Sequence, residues 1–284
     1  MNSSQLIGIT MLAYLLSSAL YLGLFLFKRK TFGLLGMFLV LAGILMQTTA
    51  IGLRWIESYA MGMGHAPLTN MYESLVFCSW CIALFYLLME WKYKARVIGA
   101  FVMPFAFVSL AYASFSDRIN DQITPLIPAL QSNWLIAHVV TCFIGYGSFA
   151  VAGSLGAMYL LKSGTGDKAD AAGTSFFSSL PEIRVLDELT YKTIFFGFIW
   201  LSAGIITGAV WADVAWGTYW SWDPKETWSI ITWFIYALTL HARFTRDWGG
   251  RKTAWLAIIG FFSVIFTYFG VNFFLSGLHS YGSS

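Results

Sequence analysis

The chain has 284 residues, of which 58% are hydrophobic, 18% aromatic and only 11% charged, and its formal net charge is +3. That balance excludes an ordinary soluble domain. The basic residues are scattered over short loops between apolar stretches, which excludes a nucleic-acid-binding face. The three cysteines are too few for a disulfide framework.

In chain order, eight apolar spans reach the roughly 20 residues that a bilayer requires. They run from Leu6 to Phe27, Phe32 to Leu53, Asn70 to Trp91, Val97 to Phe115, Trp134 to Leu161, Tyr191 to Val210, Glu226 to Ala242 and Thr253 to Leu275. The expected fold is all-α, a polytopic membrane helix bundle of about eight transmembrane helices forming one integral domain over residues 1–284. Nothing basic precedes the first span and Lys28, Arg29 and Lys30 follow it, so it is expected to stay as a helix instead of leaving as a cleaved signal.

Fourteen of the seventeen Lys and Arg residues fall in one set of loops; Arg54, Arg118 and Lys225 fall in the other. Because positively charged loops stay inside, the first set is expected to be cytoplasmic, with both termini outside. Cys78 and Cys81 form a CxxC, but inside the run SLVFCSWCIALFYLL, so they read as packing residues, as does Cys142. Between the fifth and sixth spans, residues 163–190 read as a cytoplasmic linker (SGTGDKADAAGTS) followed by an interfacial helix (PEIRVLDELTYK).

The stretch WGTYWSWDPKETW, within an outer segment at 211–228, packs four tryptophans and a tyrosine into thirteen residues. Trp settles at membrane interfaces and also packs on flat apolar ligands, so the segment reads as an aromatic belt or as a platform for a planar ligand. Trp216 and Trp220, four apart, would share a helical face, and Trp222 adds a third ring. Asp223, Pro224 and Glu226 spell an N-cap, a first-turn proline and a capping-box acid, so the two acids also have a structural reading.

Each of the four histidines needs a reason in such a chain. His138 lies near the outer end of the fifth span and His279 beyond the eighth, so both flank the tryptophan stretch on one side. His241 lies fifteen residues after Glu226, about 22 Å along a helix and therefore near the inner end. It is either a last-turn residue favourable to the helix dipole or a ligand. His65, in GMGHAPLTNMYES, reads as structural, with Asn70 and Glu73 as a helix cap.

The tryptophan stretch, GHAPLTNMYES and the flanking histidines resemble the WWD-signature haem-handling family of cytochrome c biogenesis, and within it the CcsA (ResC) type of the system II synthase. The likeness runs from about Gly64 to the C-terminus; the first sixty residues match only as generic spans. It implies that haem b is both substrate and bound ligand. His138 and His279 would be axial ligands of an external haem, His241 a transmembrane haem ligand, and Trp216, Trp220, Trp222 and Asp223 the platform.

The implied function is a haem-handling and transport subunit of a cytochrome c synthase, moving haem to the external site for thioether attachment to apocytochrome c at CxxCH. The implied partners are a CcsB (ResB)-like membrane protein, apocytochrome c and thiol-reducing proteins. The implied location is the cytoplasmic or thylakoid membrane. No residue reads as a nucleophile or general base; Lys225 and Arg54 are candidates to pair with haem propionates or to anchor at the surface. Alternatives are a subunit that hands haem to a separate chaperone, a b-type cytochrome redox subunit, and a transporter. The second wants paired histidines at one inner depth, and the third repeated broken helices.

Overall fold

A computed structural model of the chain describes residues 2–164 and 176–275; most of the expected linker, and His279, lie outside them. Among the described residues there are eight long helices and no strand: α1 (Ser3–Phe27), α2 (Lys30–Ala60), α3 (Met71–Tyr93), α4 (Gly99–Phe115), α5 (Asn133–Ser163), α6 (Ile183–Trp216), α7 (Pro224–Arg246) and α8 (Arg251–Ile265). The last runs on through a wider π turn (Phe266–Gly270) into a short closing turn (Val271–Phe274).

Seven of these helical stretches are long and apolar enough to cross a membrane. The exception is α7, which carries Trp, Tyr, Thr and Ser where its neighbours carry aliphatic residues. It is nevertheless tied into the bundle through those groups. Trp233 Nε1 donates to Ser202 Oγ of α6 at 2.8 Å, Thr232 and Ser263 of α8 bond hydroxyl to hydroxyl at 2.6 Å, and Tyr236 stacks on Phe149 of α5 at 3.7 Å. Away from water such pairings are what make polar side chains tolerable.

The same logic holds the first three helices together. Tyr14 donates to Gln47 at 2.8 Å, and the Gln47 amide donates to the Val76 carbonyl at 2.8 Å. Residues 183–190, expected to form an interfacial helix, are continuous with the sixth span in the single helix α6.

Successive helices alternate in direction. The loops at 61–70, 116–132 and 217–223 therefore gather at one end, hereafter the tryptophan end. There Arg54 and Glu73, both buried, pair at 2.8 Å, and Arg54 also donates to the Asp121 carbonyl at 2.6 Å. At the opposite end Glu90 accepts from Tyr21, Tyr86 and Arg96 at 2.7, 2.6 and 3.1 Å. There too Arg243 grips Asp187 through two hydrogen bonds, at 2.8 and 2.7 Å.

Candidate functional site

The closest helix packing that bears on function is α5 against α6. On α6 the segment Gly204–Ile205–Ile206–Thr207–Gly208 places two glycines one turn apart, which lets α5 approach the backbone. His138 of α5 fills that approach. Its Nδ1–H donates to the Gly204 carbonyl at 2.8 Å, and a methyl group at Gly208 would come within 2.6 Å of the same nitrogen. A carbonyl can only accept, so the ring proton sits on Nδ1 and Nε2 carries the lone pair, the arrangement that orients metal-binding histidines. Trp211 stacks on the ring at 5.9 Å with only 17° between planes, and is itself anchored by Nε1 donating to the Ala129 carbonyl at 2.9 Å.

His138 and Trp211 form one wall of a cleft of about 190 Å³, open at the tryptophan end. Trp220, Lys225 and Glu226 contribute from the loop and the start of α7, Ser74 from α3, and Tyr268 and Asn272 from the π turn and the turn after it. The π turn is what brings Tyr268 round to bond Ser74 hydroxyl to hydroxyl at 2.5 Å, and such bulges recur at functional sites. Cys142 lies against the histidine, its Sγ 3.7 Å from Nδ1.

The tryptophan segment departs from expectation. Trp216 and Trp220 do not share a helical face: Gly217 adopts the left-handed conformation (φ 76°) and ends α6 at Trp216. Trp216 turns edge-on to Trp211 at 4.9 Å, whereas Trp220 meets Trp222 at 5.7 Å and 89°. Of the expected platform rings, the described structure brings Trp220 to the cleft wall; Trp222 is 72% exposed and, unusually for a residue with a side chain, has φ 60°. Its carbonyl accepts from Thr227 Oγ1 at 3.2 Å, which helps to hold that conformation.

The capping box forms in full. Asp223 accepts from the Lys225 amide at 2.9 Å, and Glu226 accepts from the Ser221 and Asp223 amides at 2.8 and 3.2 Å. Asp223 is thus buried as a helix cap. Removal from water pushes the Lys225 ammonium down to about 8, against the pull of the Asp223 carboxylate.

Arg54 is committed to Glu73, and His65 sets both ring nitrogens against backbone carbonyls, Ala66 at 3.2 Å and Thr124 at 3.0 Å. Asn70 caps α3 by accepting from the Glu73 amide at 2.9 Å, while Glu73 reaches back to the Thr69 amide at 3.0 Å. This loop is scaffolding for the cleft.

His241 stands apart, since α7 runs unbroken from the cleft to it, about 22 Å away at helical rise. It is exposed, in an outward stripe with Ile231, Phe234, Leu238 and Phe244 at helical spacing. Trp211, Tyr268 and Asn272 are cleft residues that the sequence reading missed; the Gly204/Gly208 spacing was the available signal for the first.

Residues 68–279 match the model of the family described as Cytochrome C assembly protein. The chain is 40% identical to the cytochrome c biogenesis protein CcsA of Guillardia theta over 97% of this chain and 95% of that protein. It is 37% identical to the CcsA of Gloeobacter violaceus, over 99% and 98% respectively. A solved structure titled Cytochrome c Heme Lyase CcmF superposes on 95% of the chain with TM-score 0.71 at 18% identity, a likeness of fold; this chain spans 47% of that one. The matched range takes in the His138 cleft and the tryptophan segment alike, and the chain belongs to the cytochrome c assembly protein family.

Proposed function

We propose that the protein is a haem-handling subunit of a cytochrome c synthase, and that the cleft at the tryptophan end holds haem b as substrate for attachment to apocytochrome c. The observation that carries this reading is His138: its Nδ1 is spent on the Gly204 carbonyl, its ring is braced by Trp211, and it forms a wall of the cleft with Trp220. An imidazole fixed in that tautomer is suited to haem iron, and aromatic walls suit a flat macrocycle. His279 would supply the second axial bond.

This chain's residues orient the ligand and limit access of water; the haem supplies the reactive vinyl groups. Such positioning lowers a bimolecular barrier by raising effective concentration. Lys225 stands at the cleft with a charge suited to a propionate.

His241 is proposed as the ligand of a second haem near the cytoplasmic side, shared with a CcsB (ResB)-like partner. Its exposure on an apolar stripe supports a site completed from outside the chain. The distribution of basic residues supports placing the cleft on the external face of a cytoplasmic or thylakoid membrane.

The test is co-expression with that partner and an apocytochrome, with covalent haem on the apocytochrome as readout. Wild type should mature it and His138→Gly should not, with partial rescue by imidazole. Full maturation by His138→Gly without imidazole would refute the assignment.

A further inference from the structure

A second cleft, of about 530 Å³, abuts the first at the tryptophan end. Leu68, Thr69, Leu130 and Leu135 line both, so the two share a wall. On α5, Ile136 lines the second cleft, Leu135 both, and His138 the first. That is less than one helical turn, a rise of about 3–5 Å.

The second cleft differs in chemistry from the first. Not one of its lining residues is Asp, Glu, Lys or Arg. Its walls mix loop backbone with Gln131, Asn133, Met63 and two exposed rings, Trp55 at 46% and Tyr59 at 64%. His65 also lines it, but both of its ring nitrogens are set against backbone carbonyls, so the lining offers no charged group to a propionate or a nucleotide. It suits uncharged peptide groups, which hydrogen-bond to loop backbone, and side chains that rest on aromatic faces.

We propose that this cleft seats the polypeptide substrate, an extended segment bearing two thiols, and presents those thiols to the ligand across the shared wall. The inference rests on the haem reading of the first cleft and adds where the second reactant binds. Each thioether forms when a cysteine S–H adds across a vinyl C=C: sulfur bonds to one vinyl carbon and the hydrogen ends on the other. Nothing is oxidised or reduced, so no further reactant is needed. What the step does require is the two reactants held side by side, as adjoining clefts hold them.

The test uses the full chain purified with its membrane partner and loaded with haem. The probe is a labelled peptide carrying Cys-x-x-Cys-His with both cysteines replaced by serine, so that it binds without reacting. Trp55→Ala and Tyr59→Ala should each weaken its binding about tenfold, the size expected when an interface ring is removed. Both should slow attachment to the unmodified peptide and leave haem content and spectrum as in wild type. Met63→Arg, which puts a charge into the uncharged wall, should do the same without removing a ring. Equal peptide affinity in all three variants would overturn the proposal, and so would a parallel loss of haem, because the cleft would then belong to the haem site. Failure of the underlying reading looks different: the wild-type protein would hold no haem that depends on His138.

Discussion

His138 and His241 are both helix-borne imidazoles near opposite ends of one bundle, and their surroundings differ in every respect. His138 is half-buried, bonded through Nδ1, braced by Trp211 and set in a cleft. His241 is exposed among exposed apolar side chains. On the proposed reading, the contrast is between a ligand preorganised within the chain's own core and one presented for a second polypeptide to complete. The first arrangement limits freedom before binding; the second leaves the ordering cost to assembly.

The largest effect should come from His138→Gly, which on the proposed reading removes an axial bond and should lower haem retained by the purified chain about tenfold or more. Absorption in the haem band, with and without imidazole, checks it. For His241→Gly the expected result divides by context: no change in the chain alone, and loss of one haem when the partner is co-purified, read as haem per complex.

Gly208→Ala sharpens the comparison from the inside. Its methyl would sit 2.6 Å from His138 Nδ1, so the ring must shift from the Gly204 carbonyl. Haem affinity should fall roughly tenfold, as when a support behind a metal ligand is lost. The same change at an exposed helix position would be stabilising.

At the other end, Asp187→Asn should loosen the base of α7 and lower occupancy of the His241 site a few-fold, leaving the His138 site intact. Burial alone would raise the Asp187 carboxyl, but Arg243 and the Gly250 amide outweigh it and hold it below its usual range. The clamp therefore contributes fully at neutral pH and is lost only as pH falls through that lowered value, below about 3.9. A pH series of haem occupancy checks it.

The smallest expected effect is that of Lys225→Met. With the ammonium depressed to about 8, charged Lys225 costs the fold stability at neutral pH, and that cost fades as pH rises from there towards 10.5. The variant should melt about 2 °C higher at neutral pH, with a smaller gain in alkali, while retaining less haem. Thermal unfolding at two pH values checks it.

The bundle was legible because a bilayer imposes a length that the apolar runs of α1 to α6 and α8 meet. The start of α7 was legible because Asp223, Pro224 and Glu226 act locally. Trp211 was not, since its partner His138 lies on another helix and only the Gly204/Gly208 spacing hints at their meeting. The shared face assigned to Trp216 and Trp220 failed on one residue, Gly217, whose helix-ending role could have been read from the sequence. Arg54 looked available for an anion because its partner Glu73 is nineteen residues away on α3.

The most direct measurement is the absorption spectrum and haem content of the chain purified without its partner, as wild type, His138→Gly and His241→Gly. The account predicts a low-spin haem in wild type and in His241→Gly that is lost in His138→Gly. A haem in the lone chain that depends on His241 and survives His138→Gly would contradict it.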